Sequence, residues 1–134
     1  MNPVQQSAFD AEIAQAQALV ARGELAAGFA HLERAHVIGQ AHVLPHVTSH
    51  WLMLKVEVQR RRPVAVLGQA VRIVLGGLGS AIHVVPTGNT GGSDISMFKR
   101  LPVDPALQRI IEGRAQDPAV TPESTDADPA SRQP

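Results

Sequence analysis

The sequence contains no cysteine, which removes disulfides, thiolate metal sites and cysteine nucleophiles from consideration. It has no tyrosine, one tryptophan and three phenylalanines, an aromatic share of 3%. A core must therefore be built from Ala, Val, Leu and Ile, which suits closely packed helices. Net charge is missing too: twelve basic and twelve acidic side chains cancel, so no overall field draws in nucleic acid or anionic lipid. The one dense basic cluster, Arg60, Arg61 and Arg62, has no aromatic neighbours in sequence to stack bases. At a helix end it complements the negative pole of the dipole, so no nucleic-acid partner is expected.

Long hydrophobic runs are scarce as well. The stretch "VLGQAVRIVLGGLGSAIHVV" is broken by Gln69, Arg72 and His83 and diluted by four glycines. A membrane-spanning helix needs about twenty mainly apolar residues, so a core helix followed by a turn is expected and no membrane partner. The opening "MNPVQQSAFDAEIAQ" lacks a charged segment followed by an apolar one, so no secretory signal is read there and the default location is the cytoplasm.

What is present is helical. The 134 residues, 44% hydrophobic and 18% charged, fit one globular domain. Phe9, Ile13, Ala16 and Val20 form one apolar stripe and predict a first helix over about residues 5–22, closed by Gly23 as a left-handed cap. Leu25, Phe29, Leu32 and His36 repeat that spacing over about 24–38, and the short "RGEL" connection folds the second helix back antiparallel. A third helix is expected from near Val43, with Pro45 in its first turn and Leu44, Val47, Trp51, Leu54 and Val58 as its apolar seam. A fourth covers about 64–75, with Val64, Leu67, Val71 and Val74 facing inward. "DPALQRIIEG" adds a short last helix, capped by Asp104 with Pro105 at its first position. The expected fold class is thus all-α: two antiparallel helical hairpins, as a four-helix bundle or a repeat-like pair, with a Gly-rich loop. Residues 1–114 make a single helical domain. Residues 115–134, nearly without large apolar side chains, are expected to be a disordered tail.

The first hairpin resembles a tetratricopeptide repeat. Ala16 and Leu19, then Gly23, then Gly28, Leu32 and Ala35 fall where that family places its small and large packing residues. The second hairpin, from His42 to Leu75, matches poorly because its "RRRPVAVLGQAV" lacks small residues at those positions, so helix pairs are implied rather than a full solenoid. The order "HLERAHVIGQ", "PHVTSHWLML", "VLGQAVRI" and "PTGNTGG", over about residues 8–112, also resembles a small bacterial family catalogued only as a domain of unknown function. That resemblance implies a domain and no activity.

Five of the six histidines, His31, His36, His42, His46 and His50, lie within twenty positions. His42, His46 and His50 are spaced by four, which places them on one helix face about 6 Å apart. An i, i+4 pair such as His46 and His50 can present two imidazole nitrogens to one cation. No Glu follows His46, so the zinc-protease motif is absent. His36 takes a seam position on the second helix, facing the third, and Glu33 precedes it by three residues. One Glu-x-x-His without a second does not make a di-iron bundle. The candidate metal site is therefore His36, His46 and His50, with Glu33 or water as fourth ligand and His42 beside them. Nitrogen ligands favour a zinc, copper or iron ion over magnesium or calcium. The alternative use of these histidines is structural, at half-buried borders or bonded to carbonyls. His31 is expected in solvent and His83 in an apolar segment.

Other chemistry is thin. "PTGNTGGSD" could cradle an anion with its backbone amides, Asn89, Thr90 and Ser93 adding donors, yet it lacks the Lys and spacing of a phosphate loop and reads more simply as a tight turn packed on the bundle. Ser49 and His50 are adjacent and point apart on a helix. Asp10, Glu12 and Glu24 are helix-surface acids and caps, and no pair stands out as general acid and base, so an enzyme is not indicated. The sequence leads to a transition-metal-binding helical protein serving metal handling, sensing or structural stabilisation. Its rival is a repeat-like interaction module without a ligand, using Trp51 and Leu54 as anchors for a protein or peptide. A homo-oligomer is compatible with both.

Overall fold

The structure, a computed structural model, describes residues 1–81 and 87–114. The expected tail at 115–134 and the apolar surroundings expected for His83 lie outside the described residues. The described chain is all-helical: α1 (Pro3–Ala21), α2 (Leu25–Gly39), α3 (Val43–Gln59), α4 (Pro63–Ala81) and α5 (Pro105–Ile111).

Helix ends follow local chemistry. Asn2 caps α1 by accepting from the Gln5 N–H at 2.8 Å, with Pro3 in the first turn. Gly23 ends the turn after α1 at φ +81°, as its position in sequence predicts. Asp104 caps α5 through the Ala106 N–H at 2.7 Å. Helices α1 and α2 run antiparallel, with Glu12 bound to both His31 and Arg34 of the facing helix at 2.6 and 2.7 Å. His31, expected in solvent, is thus half-buried against Glu12. Helix α3 returns along α2, Arg60 at its end donating to the Leu25 carbonyl at 2.9 Å and lying 4.6 Å over the Phe29 ring.

Two apolar clusters hold these helices together. Phe9, Ala35, Val37, Ile38, Leu107 and Ile110 pack α1, α2 and α5. Ala16, Phe29, Leu32, Met53 and Val56 pack α1, α2 and α3. Ile13 touches both. This half follows the usual rule, with its apolar stripe buried.

The α3–α4 hairpin breaks that rule. The expected α3 seam points outward: Leu44 is 78%, Trp51 54% and Val58 55% exposed, while Val47 and Leu54 are half-buried. On α4, Val64, Leu67, Val71 and Val74, expected to face inward, are all exposed, together with Leu75 and Leu78. The inward face carries His46, Ser49, His50, Met53, Val56 and Glu57 from α3 and Gln69 from α4. The physical reason is mutual satisfaction. These polar groups find one another and the loop at 87–96, so burying them leaves few hydrogen bonds unmade. Helix α4 also runs past Gly76 to Ala81, beyond its expected end at Leu75, because Gly76 is held against α3 rather than freed as a cap.

Candidate metal centre

Three histidines from two helices converge. His36 comes from the last turn of α2, and His46 and His50 come from successive turns of α3, each 2–4% exposed. Their rings lie 4.6–4.9 Å apart between centroids, and one nitrogen from each falls within 4.8 Å of the others. His46 Nε2 and His50 Nε2 stand 3.1 Å apart. Nitrogens about 2 Å from a shared ion would be separated by about 3.3–3.5 Å, so this pair already has close to that spacing.

The other side of each ring is anchored by oxygen. His36 Nδ1 donates to the Asn89 carbonyl at 2.9 Å. A carbonyl can only accept, so Nδ1 carries the proton and Nε2 is a bare lone pair. His36 Nε2 is buried without a hydrogen-bond partner. His50 Nδ1 donates to Gln69 Oε1 at 2.7 Å, and the direction of that amide is fixed because Gln69 Nε2 donates to the Gly91 carbonyl at 3.1 Å and to Ser93 Oγ at 3.2 Å. His50 Nε2 is therefore a lone pair as well. His46 has a backbone hydrogen bond to Gln40. Such outer oxygens set the tautomer and orientation of ligating histidines in metal sites.

Burial keeps the rings neutral. Desolvation pushes His36 well below the usual histidine range, and charge on His50 or His46 would push it further. Desolvation is likewise the main cause for His50, lowered to about 3, with His46 and Arg72 adding to it. His46 is lowered by desolvation too. Neutral imidazole is the form that binds metal.

The glycine-rich loop closes the site from above. Gly91, at φ +71°, lies so near that a Cβ would stand 2.8 Å from His50 Cε1 and 2.9 Å from His36 Cδ2. The loop is pinned by two carboxylates. Thr90 Oγ1 donates to Glu33 Oε1 at 3.1 Å, and Ser93 Oγ donates to Glu57 Oε1 at 2.7 Å. Within it, the Gly91 and Gly92 amides donate to Asn89 Oδ1 and Thr90 Oγ1. Those amides are engaged and carboxylates face the loop, so the anion cradle is not formed and the packed turn is what is seen. In the arginine run, Arg60 binds the Leu25 carbonyl and Arg62 binds Asp94 at 2.8 Å.

Of the residues singled out from sequence, His36, His46 and His50 come together. Glu33 instead faces the loop at Thr90 and Gly92, and burial raises its pKa. His42 is the N-cap residue of α3, in an extended conformation, and is not among the three clustered ligands. Sequence reasoning did not connect Gln69, Asn89, Gly91, Glu57 or Ser93 with the histidines. The detectable signal was Gln69 and Arg72 on an otherwise apolar helix, one turn apart.

No helix among the described residues is long and apolar enough to cross a membrane. No curated protein and no solved structure matches the chain. Residues 4–111 match a family model, and the chain belongs to the family described as "Protein of unknown function (DUF3703)".

Proposed function

We propose that the protein binds one transition-metal ion, zinc, copper or iron, through the Nε2 atoms of His36, His46 and His50, for metal handling, sensing or structural stabilisation. The observation that carries this is the buried His36 Nε2 lone pair, unpartnered and beside two further imidazole nitrogens. A buried acceptor without a donor is destabilising by about 1–3 kcal/mol, and an ion at that point would satisfy it. A purely structural histidine cluster would more readily turn each ring to a donor.

The test is calorimetric titration of untagged protein with zinc, copper or cobalt. One ion per chain is expected, lost in the His36→Ala/His46→Ala/His50→Ala variant. Equal binding by that variant would remove the reading. Glu33 is a fourth-ligand candidate only if its bond to Thr90 breaks. Glu33→Gln leaving affinity unchanged would exclude it.

A second reading is favoured by the outward apolar face of α3 and α4, with Trp51, Leu67 and Val64 among its exposed residues. A second copy of the chain presents the same apolar face, and covering one with the other removes both from water. Two-fold pairing would complete a four-helix arrangement. Light scattering that finds a monomer at all concentrations would dismiss it.

A further inference from the structure

Resting on the metal-ion reading, we propose that residues 88–94 are the lid of the centre: the ion enters and leaves by their displacement, and a bound ion holds them down.

Access comes first. His36, His46 and His50 are each 2–4% exposed, so no ion reaches their nitrogens unless something moves. The rings stand on α2 and α3, whose Ala35, Ile38, Met53 and Val56 are buried in the two apolar clusters. A third wall is α4, where a Cβ at Gly76 would stand 2.8 Å from His46 Nε2. Moving that wall means moving a helix of 19 residues paired with α3. The wall at Gly91 is different. Residues 88–94 form neither helix nor strand, add no residue to either apolar cluster, and bury only Gly88, Asn89, Gly91 and Gly92. Lifting them uncovers hardly any apolar side chain, and segments with few apolar contacts are the ones that open locally. They are held instead by polar contacts: Thr90 to Glu33, Ser93 to Glu57 and Asp94 to Arg62. The last is an exposed ion pair, which contributes little.

Coupling follows from how the rings are anchored. His36 Nδ1 donates to the Asn89 carbonyl. His50 Nδ1 reaches the loop through Gln69, which donates to the Gly91 carbonyl and Ser93 Oγ. Two of the three candidate ligands thus hold the loop from behind. A cation on Nε2 draws electron density from the ring and makes Nδ1–H a stronger donor, as charge does for hydrogen bonds generally. The bound ion therefore tightens the bonds that keep the loop docked. By linkage, the docked loop raises affinity for the ion by the same factor. A buried ion then alters the order of a surface segment, which is what a sensor requires.

The experiment is amide hydrogen exchange on untagged full-length protein with and without ion, zinc first and copper or cobalt where zinc is refused. Beside it, stopped flow follows release of the ion into excess chromophoric chelator. In the ion-free protein, amides at 89–93 should be about tenfold less protected than those of Ala35 and Ile38 on α2. The ion should raise their protection by about tenfold, within the usual range of coupling between two sites. Thr90→Val removes the hydroxyl that holds Glu33 without touching a ring anchor, and should release the ion about tenfold faster. A contact serving stability alone would lower the urea midpoint and leave release unchanged. Loop amides as protected as those of α2 mean that the loop opens only when the protein unfolds, which overturns the lid. Loop protection indifferent to the bound ion, or parent-like release from Thr90→Val, overturns it too and leaves metal binding standing. Failure to bind zinc, copper and cobalt overturns the ion and the lid together. The exchange measurement uses the parent chain and decides the matter even where Thr90→Val fails to fold.

Discussion

Helices α1, α2 and α5 form a conventional half, with Phe9, Leu32, Ala35 and Ile38 buried and charge outside. The α3–α4 hairpin is built the other way round. Its inner face holds His46, His50, Glu57 and Gln69, while Trp51, Val64 and Leu67 face out. One half is stabilised by removing apolar surface from water. The other exchanges that stabilisation for a buried polar network, an arrangement that persists where function requires it. The difference marks where the candidate site lies, on the buried polar face of the α3–α4 hairpin.

The largest test of this contrast falls on the conventional half. Phe9 is 6% exposed, packed between α2 and α5. Phe9→Ala should destabilise by about 3–5 kcal/mol through lost burial and the cavity left behind, read as a lower midpoint in urea unfolding. A loss below about 1 kcal/mol would mean that the apolar clusters do not carry the fold.

Acid should act on the polar half. The ion-free protein keeps His36, His46 and His50 neutral because burial lowers each pKa below its unfolded value, His50 to about 3. The unfolded chain therefore binds more protons below about pH 6.5, so stability is fully present above that pH and declines as pH falls toward the folded values. Each such histidine contributes a slope of about 1.4 kcal/mol per pH unit once its unfolded form is protonated. Glu33, raised by burial, works in the opposite sense, its contribution declining as pH rises. Urea midpoints between pH 6.5 and 5, before most carboxylates titrate, isolate the histidines. A flat profile there would contradict their burial as neutral groups.

The same contrast explains what could be read from the sequence. For α1, α2 and α5, periodicity, the Gly23 cap and the Asp104–Pro105 start led to the observed helices, because in that half apolar spacing and burial agree. His36 was placed facing α3 by the same logic. For α3 and α4 the spacing again identified helices, yet assigned the wrong face inward: Leu44, Trp51 and Val58 keep perfect helical spacing and are exposed. A stripe says which residues share a face, and it says nothing of which face is buried when polar partners exist across the interface. Those partners, Asn89, Gly91 and Ser93, are separated from His50 by about forty residues of chain, and no local pattern links them.

Gln69 joins the two sides of the site, and its removal is a smaller, more specific perturbation. Gln69→Leu preserves volume and removes the acceptor for His50 and the donor to the loop. By analogy with outer partners of ligating histidines, metal affinity should fall about 10–100-fold, measured by the calorimetric titration. Unchanged affinity would show that the His50 ring is oriented by packing alone.

The smallest effect is expected on the outward face, and it is the sharpest discriminator between the halves. Val64 is 84% and Leu67 66% exposed, so Val64→Ser and Leu67→Ser remove almost no buried surface from a single chain. In an isolated chain each should shift stability by no more than about 0.5 kcal/mol. If the face is instead covered by a second copy, the same substitutions expose the partner's apolar surface as well. The unfolding midpoint of the parent would then rise with protein concentration, and the substitutions would abolish that rise. Thermal melts at two concentrations a hundredfold apart separate the cases. Concentration-independent midpoints with both variants near the parent mean that the apolar face stands in water, and that the inside-out hairpin is held by its polar interior together with Met53 and Val56.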